Sequence, residues 1–151
     1  MTATLQAVDR KTLAHDFGNL LKGRADDAFI TSHVKQIMAP AALTAYPANG
    51  SVASLVFGLQ ISCQITNGKQ FQDWIWGAAL PGGGALFGDV YTNDIKKLYA
   101  ATTQVIATFT PVYTAFYWLD ASNTNLGYFQ AGSISTVAGS AAGPASPSDW
   151  S

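Results

Sequence analysis

The stretch between residues 82 and 131 constrains this chain more than any other, because it spells out an ordered series of backbone elements. Three glycines, Gly82, Gly83 and Gly84, open a strand over residues 85–91. Thr92, Asn93 and Asp94 then offer capping side chains to a short helix, with Asp94 in its first turn, where negative charge suits the helix dipole. Ile95, Leu98 and Tyr99 fall at i, i+3 and i+4, so one face of that helix can close over a core. Strands follow over 104–110 and 112–120, with Pro111 between them, where its missing donor harms a ladder least. After the turn-forming run Ser122, Asn123, Thr124 and Asn125, a further strand spans 126–131.

The flanking segments extend the pattern. Residues 52–66 read as one long strand bent at Gly58, and Asn67-Gly68 predicts a two-residue hairpin turn of the primed type. The return strand, 70–80, places Gln72, Trp74 and Trp76 on one face and Phe71, Asp73 and Ile75 on the other. A last strand is expected from Ser133 to about Ala138. Residues 139–151 are rich in small residues and proline and read as a loose tail, flexible from residue 144; Trp150 within it either tucks back or serves as a docking handle.

Several strands are apolar on both faces. Tyr113, Ala115, Tyr117 and Leu119 share one side of their strand, and Val112, Thr114, Phe116 and Trp118 the other. A sandwich with one wet face would alternate more cleanly. A small barrel whose outside is partly covered accounts for the pattern.

The cover is sought at the N-terminus. Residues 1–47 hold five of the eight basic residues, four of the nine acids and both histidines, His15 and His33. Leu13, Phe17, Leu20 and Leu21 trace one helical stripe within residues 3–22, which Gly23 ends. Asp26 and Asp27 cap a second helix striped by Phe29, Ile30, Val34, Ile37 and Met38, stopping before Pro40. The pair reads as a helical hairpin packed on the barrel, or as a segment that docks a partner or a membrane interface. Residues 41–50, with Pro47 and Asn49-Gly50, read as a linker.

The same residues carry a family resemblance. Gly82-x-Gly84-Ala85-x-x-Gly88, then Tyr91-Thr92-Asn93-Asp94 and Ile95-x-x-Leu98-Tyr99, resemble the virulence-associated (Vap) proteins of rhodococcal pathogens. Phe116-Tyr117-Trp118-Leu119-Asp120, the run Leu126-Gly127-Tyr128-Phe129-Gln130-Ala131-Gly132, and Ser133-Ile134-Ser135 are similar to the same family in the same order. The resemblance covers about residues 51–143. It implies an all-β fold, a closed antiparallel barrel of about eight strands with Greek-key connectivity. The expected organisation is a helical extension over 1–47, the barrel over 48–143 and the tail over 144–151. It further implies a non-enzymatic effector acting on host phagosomes or endolysosomes, and it supplies no catalytic residues to carry over.

Composition narrows the function classes. Only 11% of the residues are charged, the acids are all Asp, and the net charge is −1, which points away from nucleic acid. No run of 18 apolar residues occurs, so no transmembrane helix is expected. The first 30 residues lack the order of a signal peptide, so the expectation is secretion or delivery to the host by a route without one.

Cys63 lies in register with Leu59, Ile61 and Ile65 and reads as a small core residue. The glycine triplet lacks the lysine of a phosphate loop and reads as a tight turn at a barrel rim. Two histidines and one cysteine in separate segments give no metal-ligand spacing, and neither a metal nor another cofactor is expected. No Gly-x-Ser-x-Gly elbow accompanies the histidines, and Asp73, Asp89, Asp94 and Asp120 sit where Asp ordinarily caps or turns, so no enzyme is expected.

Trp74, Trp76, Tyr117, Trp118 and Tyr128 are the candidate ligand or surface residues, set against the alternative that they fill the core. Three readings follow. The first is a Vap-like effector whose partner is a host endolysosomal membrane or protein. The second is a barrel binding a small lipid or sugar in a hollow interior, and the third an inhibitor-like protein-binding module.

Overall fold

The computed structural model describes residues 9–39, 42–55, 57–133 and 137–151, and of Ala78 the backbone alone. Eight antiparallel strands close a barrel in the order β1-β2-β3-β8-β5-β6-β7-β4. They are β1 (Thr44–Ser54), β2 (Gly58–Ile65), β3 (Gln70–Ala79), β4 (Gly82–Thr92), β5 (Gln104–Phe109), β6 (Tyr113–Leu119), β7 (Asn125–Gly132) and β8 (Gly139–Pro144). The two halves of the chain repeat one arrangement, β4-β1-β2-β3 and β8-β5-β6-β7, each with its fourth strand returned beside its first.

The expected strand over 52–66 is two strands. β1 and β2 form a hairpin turned at residues 55–57, with Ser54 opposite Leu59. The expected linker over 41–50 is largely β1 itself, which pairs along its whole length with β4, from Thr44 opposite Thr92 to Ser54 opposite Gly82. Pro47 and Asn49-Gly50 signal a turn locally, but ladders on both sides hold the segment extended. The boundary at 47/48 therefore falls inside a strand. Asn67 alone takes the left-handed conformation at the β2–β3 turn, with φ 60°. The turn is longer than the two-residue primed form, since the Gly68 and Ile65 amides donate to the carbonyls of Ile65 and Lys69.

The glycine triplet is not a rim turn but the first part of β4. Backbones approach closely along this strand: a Cβ at Gly83 would collide with the Val52 carbonyl, and one at Gly88 with that of Gln130. Of the strand expected over 133–138, residues 134–136 lie outside the described residues, and the last strand is β8. Residues 144–151 are not loose. They form a 3-10 turn, Pro147–Asp149, and the Gln70 amide donates to the Ser151 carbonyl at 2.9 Å. Trp150 is buried against Phe71, Tyr99 and Trp118 at ring separations of 5.2, 5.0 and 5.0 Å.

Two apolar layers result. The barrel lumen is filled by side chains including Leu59, Ile61, Cys63, Phe71, Ile75, Phe109, Phe116, Trp118 and Phe129, as the bore of an eight-stranded barrel requires. One end is closed by α3 (Ile95–Ala101), capped by the Asp94 carboxylate, which accepts from the Lys97 amide. Its Leu98 is fully buried.

The second layer lies outside the barrel. There α1 (Arg10–Leu21) and α2 (Asp27–Met38) place Leu13, Phe17, Leu21 and Ile37 on Ile106, Tyr113, Ala115, Tyr117, Leu119 and Tyr128. Polar contacts pin this hairpin down. Tyr113 donates to Asp16 at 2.7 Å, Gln36 donates to the Asn123 carbonyl at 2.9 Å, and the Asn125 amide donates to Gln36 at 2.6 Å. Thus the two apolar faces of β6 serve two different layers. In α2 the centre of the buried face is His33, while Met38, expected on the stripe, is exposed.

Candidate functional surface

The five aromatic candidates fall in three places. Trp118 is in the lumen, edge-on to Phe71 at 5.5 Å. Tyr117 and Tyr128 lie beneath the helical hairpin, 5.9 Å apart, and burial raises both phenol pKa values. Those three are core residues. Trp74 and Trp76 point outward from β3, 46% and 62% exposed, while Phe71 and Ile75 of the same strand point inward, as the alternation predicts.

The two indoles lie nearly parallel, 12° between planes and 6.1 Å between centroids. Beneath them is Gly58, opposite Trp76 in the ladder; a Cβ there would lie 3.1 Å from the Trp76 ring and 3.4 Å from that of Trp74. Gly58 thus does not bend a strand. It makes the floor on which an exposed aromatic pair rests.

Around that pair, one end of the barrel carries large apolar side chains in water. Leu55 and Phe57 on the β1–β2 turn are 71% and 73% exposed, Leu80 after β3 is 59%, and Val112 on the β5–β6 turn is 65%. All three connections are at the same end, because Ser54 pairs with Gly82, Ala79 with Gly139, and Gly139 with Phe109. Sequence reasoning missed these four residues. The available signal was that apolar side chains occupied positions where turns ordinarily carry Asn, Asp, Ser or Gly.

The strand connections at this end carry no charge, although Arg24 and Asp26 of the hairpin line a cleft with Trp76. The connections at the opposite end hold Lys69, Asp94, Lys96, Lys97, Asp120 and Asp149, whereas residues 55–57, 80–81, 110–112 and 133–138 include no Asp, Glu, Lys or Arg.

The titratable candidates are structural in setting. His33 is buried among the rings of Phe17, Phe29 and Tyr117, and burial lowers its pKa to about 4. Its Nε2 lies 2.9 Å from Asn125 Nδ2, and no partner reaches Nδ1. His15 pairs with Asn19 one turn along an exposed helix face. Cys63 is buried in the lumen, and burial pushes its thiol pKa up, away from thiolate chemistry. Asp73 sits half-buried with its pKa raised to about 6, by burial and by the Asp149 carboxylate.

Among the described residues the lumen is packed with side chains, without the hollow that a lipocalin-like ligand barrel needs. A cleft of about 610 Å³ lies outside it, where Leu21, Arg24, Asp26 and Phe29 of the hairpin face Trp76 and Ile106 of the barrel.

A family model described as Rhodococcus equi virulence-associated protein matches residues 3–151, so it takes in the helical extension as well as the segment over which the motifs are legible. A solved structure of the virulence-associated protein VapB from the intracellular pathogen Rhodococcus equi is similar at 27% identity and a TM-score of 0.66, covering 73% of this chain and 98% of that one. That of VapD from the same organism is similar at 25% identity and a TM-score of 0.68, covering 74% and 100%. No curated protein matches.

Proposed function

The chain belongs to the Rhodococcus equi virulence-associated protein family, and from that premise we propose that it is a non-enzymatic effector acting on host endolysosomal membranes or proteins through its barrel surface. The observation that carries the reading is the contrast between a filled lumen and an outside that displays Leu55, Phe57, Trp74, Trp76, Leu80 and Val112. Side chains of this size left in water on one region of a molecule mark contact sites. The titratable groups support the non-enzymatic part, since the histidines lie in the hairpin and the thiol is sealed in the core. No helix among the described residues is long and apolar enough to cross a membrane.

The test is delivery of the purified full chain to phagocytes while compartment acidification is followed with a ratiometric dye. The expected result is a compartment that acidifies less than one receiving the heat-denatured chain. Equal acidification in the two would overturn the reading.

A further inference from the structure

We propose that the uncharged end of the barrel seats in the interface of a zwitterionic lipid bilayer, with Leu55, Phe57, Leu80 and Val112 entering the acyl boundary and Trp76 and Trp74 at headgroup level. This inference deepens the effector reading and rests on it for its setting, but its physical case is separate.

Three observations carry it. The first is charge. Of the 17 charged residues, none is in the strand connections at this end and six are in those at the other, while the hairpin brings Arg24 and Asp26 no nearer than the side of the barrel, in the cleft they share with Trp76. Entry of a charge into hydrocarbon is costly, and a surface made for a protein partner ordinarily keeps a polar, charge-bearing rim. Tips stripped of both signs fit a medium that offers no counter-charge.

The second is the backbone. Chain that enters an apolar medium must satisfy its own amides, and several described groups at the tips do. The Leu55 amide donates to the Gly58 carbonyl at 2.9 Å, the Leu80 amide to Ala138 at 3.2 Å, and the Val112 amide to Thr110 Oγ1 at 3.2 Å. The Phe57 carbonyl accepts from the Gly77 amide at 3.1 Å. Pro81 and Pro111, also at the tips, have no amide to satisfy.

The third is placement of the indoles. Tryptophan concentrates where membrane meets water, because its ring is apolar and its N–H is not. Trp76 is opposite Gly58, next to the Phe57 tip, and Trp74 is two ladder positions further from the end, opposite Gln60. Beyond them the outer face of β1–β3 turns polar, with Ser51 and Ser62 hydroxyls 2.6 Å apart beside Gln60 and Gln72. On β1–β3 the apolar character thus stops after a shallow depth, with Phe87 of β4 an exposed exception further from the end, which suits seating on a leaflet rather than spanning it.

Flotation of the full chain with phosphatidylcholine vesicles tests this, together with its tryptophan emission and quenching by brominated lipid. The wild type is expected to float, with emission shifted to the blue, and to float equally in 0.1 and 0.5 M salt, both on the order of ordinary buffer strengths. Leu55→Asp with Phe57→Asp should lower partitioning at least about tenfold, with melting temperature unchanged because both side chains are exposed. Lys96→Glu with Lys97→Glu should leave it unaltered.

A wild type that does not float, a Leu55/Phe57 variant that floats as well as it, or binding that salt or the lysine variant removes would each overturn the inference. So would a wild-type dimer in size-exclusion chromatography that the Leu55/Phe57 variant splits, since the end would then be covered by a second copy. Altered host acidification without vesicle binding sinks the seating alone; vesicle binding without altered acidification sinks the effector reading alone.

Discussion

His33 and Asp73 titrate in overlapping windows with opposite consequences for stability. Burial holds the His33 imidazole neutral down to about pH 4, whereas the unfolded chain takes up that proton near 6.5. Stability from His33 is therefore present above pH 6.5 and is lost as pH falls toward 4. The loss is on the order of 3 kcal/mol, since each tenfold difference in proton affinity between the folded and unfolded chain is worth about 1.4 kcal/mol. Asp73 runs the other way. Its folded pKa is raised to about 6 from 3.8, so the folded state takes the proton first and gains stability as pH falls through that interval. Solvent access to this half-buried group makes its share the smaller. Urea midpoints between pH 7 and pH 4 should separate the two. Asp73→Asn should steepen the loss of stability on acidification, and His33→Phe should abolish it or reverse its sign. His33→Phe will itself lose some stability at every pH, because Asn125 Nδ2 loses its partner at 2.9 Å; the slope, not the level, is the readout. A His33→Phe profile parallel to the wild type would mean that the imidazole protonates freely in the folded protein.

Among the elements, what was legible and what was not divides along a physical line. β3, β5, β6, β7 and all three helices were readable because their side chains alone specify them: alternation in Phe71 to Trp76, a stripe in Leu13 to Leu21, and the Asp94 cap. Most of β1, the start of β4 and β8 were not, since TAYPANGS, GGG and GSAAGP contain turn formers and small residues that have no strand preference of their own. These strands exist because neighbours pair with them on both sides, and their glycines are used where chains approach closely, as Gly88 does at Gln130. The candidate surface followed the same division. The outward turn of Trp74 and Trp76 was readable from alternation, but the exposure of Leu55, Phe57, Leu80 and Val112 was not, because it depends on which turns share an end. The hairpin was legible as helices and open as to its role. Phe17 is completely buried between α2 and the barrel, whereas Ile30 is only partly so. Phe17→Asp should thus lower stability by roughly 3–5 kcal/mol, on the scale of losing a large buried side chain, and Ile30→Asp by distinctly less. Differential scanning calorimetry decides this, and equal, negligible shifts in both variants would mean that the hairpin leaves the barrel in solution.

At the scale of the whole molecule, the helical hairpin and the barrel present different kinds of dependence. The barrel closes on itself through ladders that include no helical residue, with β1 bonded to both β2 and β4. The VapB and VapD chains match over 98% and 100% of their lengths while about a quarter of this chain stays unmatched. The hairpin, by contrast, has no core apart from the barrel's outer face, and two 12-residue helices are marginal alone. A chain beginning at Thr44 should consequently fold, whereas one beginning at Asn49 should be much weaker, since it loses the half of β1 that pairs Thr44 to Ala48 with Gly88 to Thr92. The Thr44 chain survives with a defect elsewhere. It uncovers Ile106, Tyr113, Ala115, Tyr117, Leu119 and Tyr128 as one apolar face, and faces of that extent drive association. The expected outcome is native near-ultraviolet circular dichroism, cooperative unfolding, binding of a hydrophobic dye that the full chain does not bind, and elution as a dimer or larger. Loss of the near-ultraviolet signal would make the hairpin part of the folding unit. A folded, dye-silent monomer would mean that the second apolar layer is not held in the arrangement that Tyr117, Tyr128 and Phe17 define.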